Sequence, residues 1–408
     1  MTLSGHRFKI WGAFAAGSVI VAGMGWLCSA AVAEKASPAL PTAAELLPRA
    51  IVSEGDLTRL QRVLAKARRG KKITVGIIGG SITAGASAST PEKHYSGVLL
   101  HWLKKTFPKT QFDLVNAGIG ATGSDYGCLR VRHDLLSHNP DLVVVEFACN
   151  DRNTQESAET YEGLLRQVLA HPNQPAVIQL FMVVASGIDA QEWHTKVASH
   201  YNLPQVSYRN ALWPEVAAGR IAWRQLSPDD AHPNDTGHAY AGEFLAGLLD
   251  RALRKLPADG KLPASPPLPK PLLTDAYQFT SLNEAKELKP AANRGWALQD
   301  GNWGLAWRSS IPGSAIEFKV FGTQVFLSFF RIRGAMGKVH VYVDNAKPML
   351  LDAWFDGTWG GYRQTTRIAK DLAPGMHRVR VELLTDKHPK STGTDFQIMG
   401  LGAGGIGQ

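Results

Sequence analysis

Four short segments of this 408-residue chain carry groups that together could perform acyl transfer. They are residues 79–83 (GGSIT), 116–120 (NAGIG), 148–151 (ACND) and 229–234 (DDAHPN). Between them they supply a serine hydroxyl, glycine-flanked backbone N–H groups, a side-chain amide, and a histidine that follows a carboxylate. Acyl transfer needs these parts: a nucleophile, an oriented base, and donors that stabilise an oxyanion.

Ser81, in the first segment, is the candidate nucleophile. It follows the apolar run at residues 73–78, which is typical of a strand buried on both faces. Gly79 and Gly80 permit a tight turn that raises the serine above the carboxyl end of the sheet, where open α/β folds place their sites. Alone, the segment favours a plain turn that caps a helix. A phosphate-binding loop is disfavoured because no lysine follows in the required place.

His232 is the candidate base, and Asp229 precedes it by three residues in a proline-flanked segment. A carboxylate there can accept a hydrogen bond from one ring nitrogen, so that the other nitrogen faces Ser81. A metal site that combines both residues with Asp235 and His238 is a weaker alternative, because the chain offers no second convincing ligand cluster.

Asn150 and two backbone N–H groups are the candidate oxyanion donors. Asn150 comes just after the apolar run at residues 141–147, so its amide can point into the site. The backbone N–H groups of Ser81 and Gly120 are its natural companions. The alternative interpretation of Asn150 is a turn or a helix cap.

Residues 118–123 (GIGATG) form a competing motif. They match G-x-G-x-x-G, and Glu146 ends the next predicted strand, as in a dinucleotide-binding unit. That interpretation leaves Ser81, Asn150 and His232 without a role, whereas the acyl-transfer interpretation uses all four segments. We therefore favour acyl transfer.

These segments need a scaffold, and the hydrophobic pattern predicts an α/β fold followed by a β-sandwich. Strands are predicted at residues 73–78, 112–115, 141–147, 176–184 and 205–208, and helices at 56–69, 94–107, 129–137, 158–169, 191–201 and 238–255. Strands that alternate with helices indicate a parallel sheet covered on both faces. Alternating apolar and polar residues then predict strands at 315–321, 324–330, 338–343, 377–383 and 395–399, in an antiparallel sandwich of jelly-roll type.

The predicted domain organisation has four parts. Residues 1–33 are a signal peptide or membrane anchor, 34–255 a hydrolase domain, 256–273 a proline-rich stiff linker, and 274–408 an accessory β-sandwich. A basic start and an uncharged apolar stretch that ends in A-V-A predict export to the periplasm or beyond. The stretch is also long enough to anchor the protein in the inner membrane if it is not cleaved. The Ala/Pro-rich residues 34–48 are expected to be mobile.

Composition and charge fit an exported globular protein. The chain is 44% hydrophobic and carries a formal charge of +9, with a pI of about 9.4. The one dense basic run, residues 66–72, favours a solvated helix end over a nucleic-acid site. After cleavage two of the three cysteines remain, Cys128 and Cys149. Buried free thiols are expected, and a disulfide between them is the alternative.

The order of these segments resembles the SGNH (GDSL-type) hydrolases over about residues 73–248. The resemblance assigns Ser81 to block I, Gly120 to block II, Asn150 to block III, and Asp229 with His232 to block V. Gly80 replaces the aspartate of the family name, as in the subgroup found in carbohydrate esterases. Alignment with Gly-Asp-Thr members could place Ala121 rather than Gly120 at the oxyanion position. Cys149 replaces a small or hydroxyl-bearing residue, which affects packing more than chemistry.

The second half resembles the jelly-roll modules that accompany some SGNH carbohydrate esterases. It contains five of the 11 tryptophans, at positions 296, 303, 307, 354 and 359. Most are expected to fill the sandwich core rather than stack on sugars. Trp359 is the expected exception, because its glycine neighbours indicate a loop.

The sequence therefore predicts an exported serine esterase that removes O-acyl groups, above all acetyl, from a polysaccharide or cell-wall glycan. The resemblance implies that Ser81 attacks, Asp229 orients His232, and Ser81, Gly120 and Asn150 hold the oxyanion. No metal or organic cofactor and no nucleic-acid partner are expected, and membrane contact is expected only through an uncleaved N-terminal segment. The alternatives are a polysaccharide O-acetyltransferase with the same site and a non-catalytic glycan-binding protein.

Overall fold

The apolar runs of the first half of the chain become neighbouring strands of one sheet. The computed structural model describes residues 39–258, 261–405 and 407. The strands are β1 (Ile51–Ser53), β2 (Ile73–Gly79), β3 (Phe112–Gly118), β4 (Leu142–Glu146), β5 (Ala176–Phe181) and β6 (Gln205–Ser207), arranged in the order β1-β6-β5-β4-β2-β3. From β2 to β6 the pairs are parallel, as predicted. The edge strand β1 is antiparallel to β6, so the sheet is mixed, and the expectation of a wholly parallel sheet was wrong at this edge.

Helices cover both faces of this sheet. They are α1 (Ala43–Ala50), α2 (Thr58–Arg68), α3 (Ser81–Ala84), α4 (Tyr95–Thr106), α5 (Ser124–Asp134), α6 (Gln155–Leu169), α7 (Gln191–His200), α8 (Tyr208–Ala217), α9 (Trp223–Leu226) and α10 (Asp235–Arg254), with a 3₁₀ turn at Leu136–His138. Val144 of β4 packs in the core formed with α1, α2, α4 and α10. Its neighbours Val143 and Val145 pack in the opposite core with α5, α6 and α7. Burial on both faces explains why β4 is a continuous apolar run.

The prediction of a mobile segment at residues 34–48 was wrong for its last part. Thr42 and Glu45 form a capping box that starts α1, in which the Thr42 N–H donates to Glu45 Oε2 at 2.7 Å. Leu46 is 2% exposed and packs in the core, which anchors this helix. The predicted leader, residues 1–33, lies outside the described residues. Within the described part of the chain, no helix has the length and apolar content needed to span a bilayer.

Two helices differ from expectation for reasons beyond the local sequence. α5 begins at Ser124, not at residue 129, because Asp151 Oδ1 accepts a hydrogen bond from the Ser124 N–H at 2.7 Å. This cap comes from a distant loop. α8 was not predicted, because Pro214 lies within it and its apolar residues form no clear stripe. Ser207 caps it by accepting from the Asn210 N–H at 2.9 Å.

The second half of the described chain folds into two antiparallel sheets packed face to face. The strands are β7 (Thr280–Glu284), β8 (Ala292–Arg294), β9 (Ala297–Gly301), β10 (Gly304–Ser309), β11 (Ala315–Gly322), β12 (Gln324–Arg331), β13 (Lys338–Val343), β14 (Met349–Asp352), β15 (Tyr362–Ala369), β16 (Gly375–Leu383) and β17 (Phe396–Gly404). One sheet has the order β15-β12-β17-β10-β9, with β7 also paired to β17, and the other β14-β13-β16-β11-β8. Phe318, Phe329 and Val381 lie in the core between them. The predicted all-β domain is confirmed.

The two domains are joined by buried polar contacts as well as by the chain. Glu162 of α6 is fully buried and accepts hydrogen bonds from the backbone N–H groups of Leu272, Leu273 and Thr274 at 2.5–3.0 Å. These contacts fasten the end of the predicted linker to the α/β domain. The linker boundaries at residues 256–273 remain a prediction.

Candidate active site

Ser81 lies where β2 ends and α3 begins, at the carboxyl edge of the sheet. Gly80 immediately precedes it and packs against the loop after β4. A Cβ atom added to Gly80 would lie 2.0 Å from Asn150 Oδ1, so any larger residue would displace the Asn150 side chain. The pair of glycines therefore serves close packing between the serine turn and the asparagine loop, as well as the turn itself.

His232 and Asp229 complete a hydrogen-bonded chain with this serine. His232 Nε2 lies 2.9 Å from Ser81 Oγ, and His232 Nδ1 lies 2.7 Å from Asp229 Oδ2. The other carboxylate oxygen of Asp229 accepts from the backbone N–H groups of Ala231 and His232, each at 2.7 Å. The three side chains predicted from separate segments thus meet in the order nucleophile, base and orienting acid.

Asp229 is held in the form that this arrangement needs. Partial burial raises the pKa of Asp229, but the hydrogen bonds from the His232 ring and from the backbone of His232 and Ala231 outweigh it. The net effect keeps the pKa of this carboxyl below its ordinary value. The single proton of the Ser227 hydroxyl is shared between the carbonyl oxygens of Asp229 and His232, at 2.7 and 2.6 Å from Oγ, which fixes the turn. The carboxylate therefore stays ionised beside the imidazole.

The predicted oxyanion donors lie around the serine and are free to bind. Across the described residues, neither the side-chain amide of Asn150 nor the backbone N–H groups of Ser81 and Gly120 have a hydrogen-bond acceptor. A Cβ atom added to Gly120 would lie 3.8 Å from Ser81 Cβ, so this residue borders the nucleophile. Ala121 also has a free N–H group, and its φ is +55°. The choice between Gly120 and Ala121 as donor stays open.

The residues of the alternative metal site have other partners. Asp235 accepts from Ser89 and from Lys93, whose Nζ lies 2.8 Å away, and His238 Nε2 lies 3.1 Å from the Ala86 carbonyl oxygen. No cluster of three histidine, cysteine or acidic side chains placed to bind a metal occurs in residues 39–258, 261–405 and 407.

The two cysteines of the described chain are free thiols. Burial raises the pKa of both Cys128 and Cys149 well above its usual value, and nearby carboxylates raise it further. They are therefore inert packing residues, and the alternative of a disulfide between them was wrong.

A cavity of about 420 Å³ adjoins the serine site and lies between the two domains. Its α/β wall includes Ala121 and Asn150, next to the oxyanion donors, and its other wall is strand β15. The β15 residues that line it are Tyr362, Arg363, Gln364, Thr365, Thr366 and Arg367. Sequence reasoning missed this strand, because its run of polar residues lacks a clear alternation of apolar side chains.

The tryptophans of the β domain follow the expectation only in part. Trp296 and Trp354 are each 5% exposed and fill the sandwich, and Trp359 is 62% exposed, as predicted. The core prediction was wrong for Trp303, which is 44% exposed on the turn between β9 and β10. The Trp359 ring lies 5.1 Å from that of Phe355 and 5.5 Å from that of Tyr362, which lines the cavity. A partly exposed aromatic cluster therefore adjoins the mouth of the site.

Comparison with known proteins decides the family. The sequence profile of the GDSL-like Lipase/Acylhydrolase family matches residues 77–240, the span that carries the serine, the donors and the histidine. A solved two-domain esterase (CEX) active on acetylated mannans, co-crystallised with mannopentaose, is 32% identical. The alignment covers 89% of this chain and 98% of that one, with a TM-score of 0.80. The chain belongs to the GDSL-like lipase/acylhydrolase family.

Two further comparisons separate what the α/β domain shares from what the whole chain shares. Thioesterase 1/protease 1/lysophospholipase L1 of Escherichia coli (strain K12) is 27% identical over 201 residues, which are 46% of this chain and 88% of that protein. A second structure of CEX is also 32% identical, covers 88% of this chain and 99% of the other, and has a TM-score of 0.81. The likeness to CEX thus extends through the β domain, and the protein is an SGNH-type ester hydrolase of carbohydrate-esterase type.

Proposed function

We propose that this protein removes O-acetyl groups from a polysaccharide, and that the polysaccharide is an acetylated mannan. The observation that supports this most strongly is the cavity lined by Asn150 and Ala121, because residues of both domains line it. CEX, which is similar to this chain over both domains, is described as active on acetylated mannans. An ester hydrolase that acted only on small free esters would need no second domain at its site.

The reaction follows from the hydrogen-bonded chain. His232 accepts the Ser81 proton as Ser81 Oγ attacks the acetyl carbonyl carbon, and the oxyanion accepts hydrogen bonds from the free donors around Ser81. The C–O bond to the sugar then breaks, and His232 returns the proton to the sugar oxygen. Water, deprotonated by His232, attacks the acetyl-serine ester, and acetate leaves as Ser81 regains its proton. Asp229 remains ionised and stabilises the charged imidazole.

The cavity walls suit a sugar chain. Hydrogen-bonding groups such as Gln364 and Thr366 can bind hydroxyls, and Trp359 with Tyr362 offers aromatic faces on which a pyranose ring can stack. A protein-bound glycan of several residues would extend from the serine site toward these rings. We further propose that the protein is exported, which is supported only by the basic and apolar pattern of residues 1–33.

The test measures acetate release from acetylated mannan, acetylated xylan and p-nitrophenyl acetate by the full chain, beside its Ser81→Ala variant. Release is expected from all three, fastest per acetyl group from mannan, with a fall of about 10⁶-fold in the variant. Faster release from xylan would contradict the mannan assignment. Acetyl groups that moved to an unacetylated glycan instead of appearing as acetate would contradict hydrolysis.

A further inference from the structure

Glu146, the acidic residue of the G-x-G-x-x-G interpretation, has no role in the mechanism above, yet its place in the fold is distinctive. It ends β4, pairs with Gly79 on β2, and is fully buried. A ribose could not reach it. Gly118 of the same motif packs against α3, since an added Cβ atom would lie 2.2 Å from the Ala84 backbone nitrogen. The glycine and the glutamate therefore serve the packing of the site.

The carboxyl of Glu146 lies between two segments that carry oxyanion donors. On one side Thr83, on the helix that begins at Ser81, donates its hydroxyl to Glu146 Oε2 at 3.3 Å. On the other side Glu146 itself ends β4, and the chain runs from it directly into the loop that carries Asn150. Its second carboxyl oxygen, Oε1, is buried and has no hydrogen-bond partner among the described residues. The bond between Thr83 and Glu146 thus joins the serine helix to the strand end that leads to Asn150.

The protonation of this carboxyl is consistent with a structural role at neutral pH. Burial raises the pKa of Glu146 to about 8, and the negative charge of Asp151 raises it too, while the hydrogen bond from Thr83 and the nearby backbone N–H groups of Cys149 and Ala148 oppose this rise. The neutral form avoids the large cost of a buried unpaired charge. Tyr95 donates to Thr83 at 3.0 Å and fixes the hydroxyl from behind.

The two segments must keep a narrow spacing for catalysis. Gly80 and the Asn150 side chain are in direct contact, so any shift of one segment moves its donor relative to the other. Donors stabilise a tetrahedral intermediate only when they lie within about 0.5 Å of the productive position. A group that ties the serine helix to the asparagine loop therefore controls the oxyanion geometry.

We propose that Glu146 is a positioning residue for ester hydrolysis, and that its carboxyl sets the distance between the Ser81 turn and the Asn150 side chain. The inference rests on the acyl-transfer chemistry proposed above, but not on the identity of the glycan.

The test compares Glu146→Leu with Glu146→Gln in the full chain on p-nitrophenyl acetate. Leucine fills the space without an acceptor, so kcat is expected to fall about 10- to 100-fold, below the 10²–10³-fold cost of losing a whole donor. KM should stay within about threefold, because substrate contacts are unchanged. Glutamine keeps one acceptor oxygen and should restore kcat to within about threefold of wild type. An unchanged kcat in the leucine variant overturns the proposal.

A double-mutant cycle with Asn150→Ala separates positioning from general stability. If Glu146 acts through the Asn150 amide, Glu146→Leu should cost little more once Asn150 is alanine. Fully additive losses would show that Glu146 acts elsewhere and overturn the proposal. If the leucine variant does not fold, Thr83→Val cuts the same link and should lower kcat similarly, whereas Tyr95→Phe, which leaves the Thr83–Glu146 bond, should change kcat by no more than about twofold.

Failure of the proposed function would be visible separately. Wild-type turnover of the chromogenic ester, absent in Ser81→Ala, measures that function on its own. If turnover is absent, the rate at which a chromogenic phosphonate ester modifies Ser81 replaces kcat in the same cycle, because this reaction also builds negative charge in the oxyanion hole.

Discussion

The carboxyl edge of the α/β sheet and the β15 face of the second domain meet at one cavity, but they are built differently. At the sheet edge, Ser81 and Asn150 each come just after a strand, whereas Asp229 and His232 lie in the turn between α9 and α10. Bonds within that turn fix the histidine, because Asp229 accepts from both its ring and its backbone N–H group. On the β15 face, the side chains project from a strand whose position depends on contacts with the other domain, and Trp359 is exposed. The first region carries the groups for ester chemistry, and the proposed function assigns the second to recognition of the polysaccharide.

Of the changes considered below, Asp229→Asn should lower kcat the most, and by the same factor for every substrate. The amide cannot hold the imidazole in the required tautomer, so kcat is expected to fall about 10³–10⁴-fold. The fall should be equal for p-nitrophenyl acetate and acetylated mannan, with the thermal midpoint nearly unchanged. The exposed neighbour Asp230, which pairs with Arg224 at 2.9 Å, gives the matched control Asp230→Asn, for which wild-type kcat is expected. A fall in kcat on acetylated mannan alone would contradict the assignment of ester chemistry to the sheet edge and of polymer recognition to the β15 face.

Asn150→Ala should come second. Removal of one oxyanion donor costs about 10²–10³-fold in kcat, or ~3–4 kcal/mol of barrier. KM should change little, because the donor bonds most strongly to the charge that develops in the transition state. Steady-state kinetics on both substrates check this. A rise in KM at constant kcat would instead place Asn150 in ground-state binding.

The residues at the carboxyl edge of the α/β sheet could be predicted from the sequence because short-range interactions fix each of their segments. Asp229 and His232 are three residues apart, and a short-range hydrogen bond between them fixes their turn. The continuous apolar runs, which are typical of strands buried on both faces, located β2 and β4 to within one or two residues. How the segments meet in space could be inferred only from the parallel α/β pattern and the family resemblance.

The parts that sequence did not reveal depend on contacts with distant residues. α5 starts at Ser124 because a carboxylate 27 positions away, Asp151, caps it. β15 was missed because its polar side chains, such as Arg367, are buried against the other domain rather than exposed to solvent, which removes the usual alternation. Glu146 fitted the pattern of a dinucleotide-binding residue because a pattern of residue types carries no information on burial.

Trp359→Ala should impair hydrolysis of the polymer only, whereas Asp229→Asn should impair hydrolysis of every substrate. Loss of one stacking face is worth about 1 kcal/mol, so KM for acetylated mannan is expected to rise about fivefold. Kinetics on p-nitrophenyl acetate should be unchanged, because the small ester does not reach the ring. Phe321→Ala is the control: this ring is 48% exposed on β11, in the other sheet, and should affect neither substrate. Equal effects of the two variants on mannan would argue against a sugar contact at Trp359.

Arg363→Met should have the smallest effect on chemistry and should instead loosen the junction on which the β15 face depends. Arg363 donates to both oxygens of Glu284 at 2.7–2.8 Å and also to the Tyr126 hydroxyl of α5, so it links β15, β7 and the α/β domain. Its side chain is 10% exposed, and loss of this paired charge should destabilise the fold by about 1–3 kcal/mol, less than a fully buried pair because Glu284 keeps contact with water. Thermal unfolding should show a midpoint lowered by a few degrees, at about 2–4 °C per kcal/mol.

The control is Arg378→Met, which removes an exposed ion pair with Glu317 at 3.6 Å and should shift the midpoint by less than about 1 °C. Equal shifts in the two variants would mean that the interdomain ion pair contributes no more to stability than a surface pair.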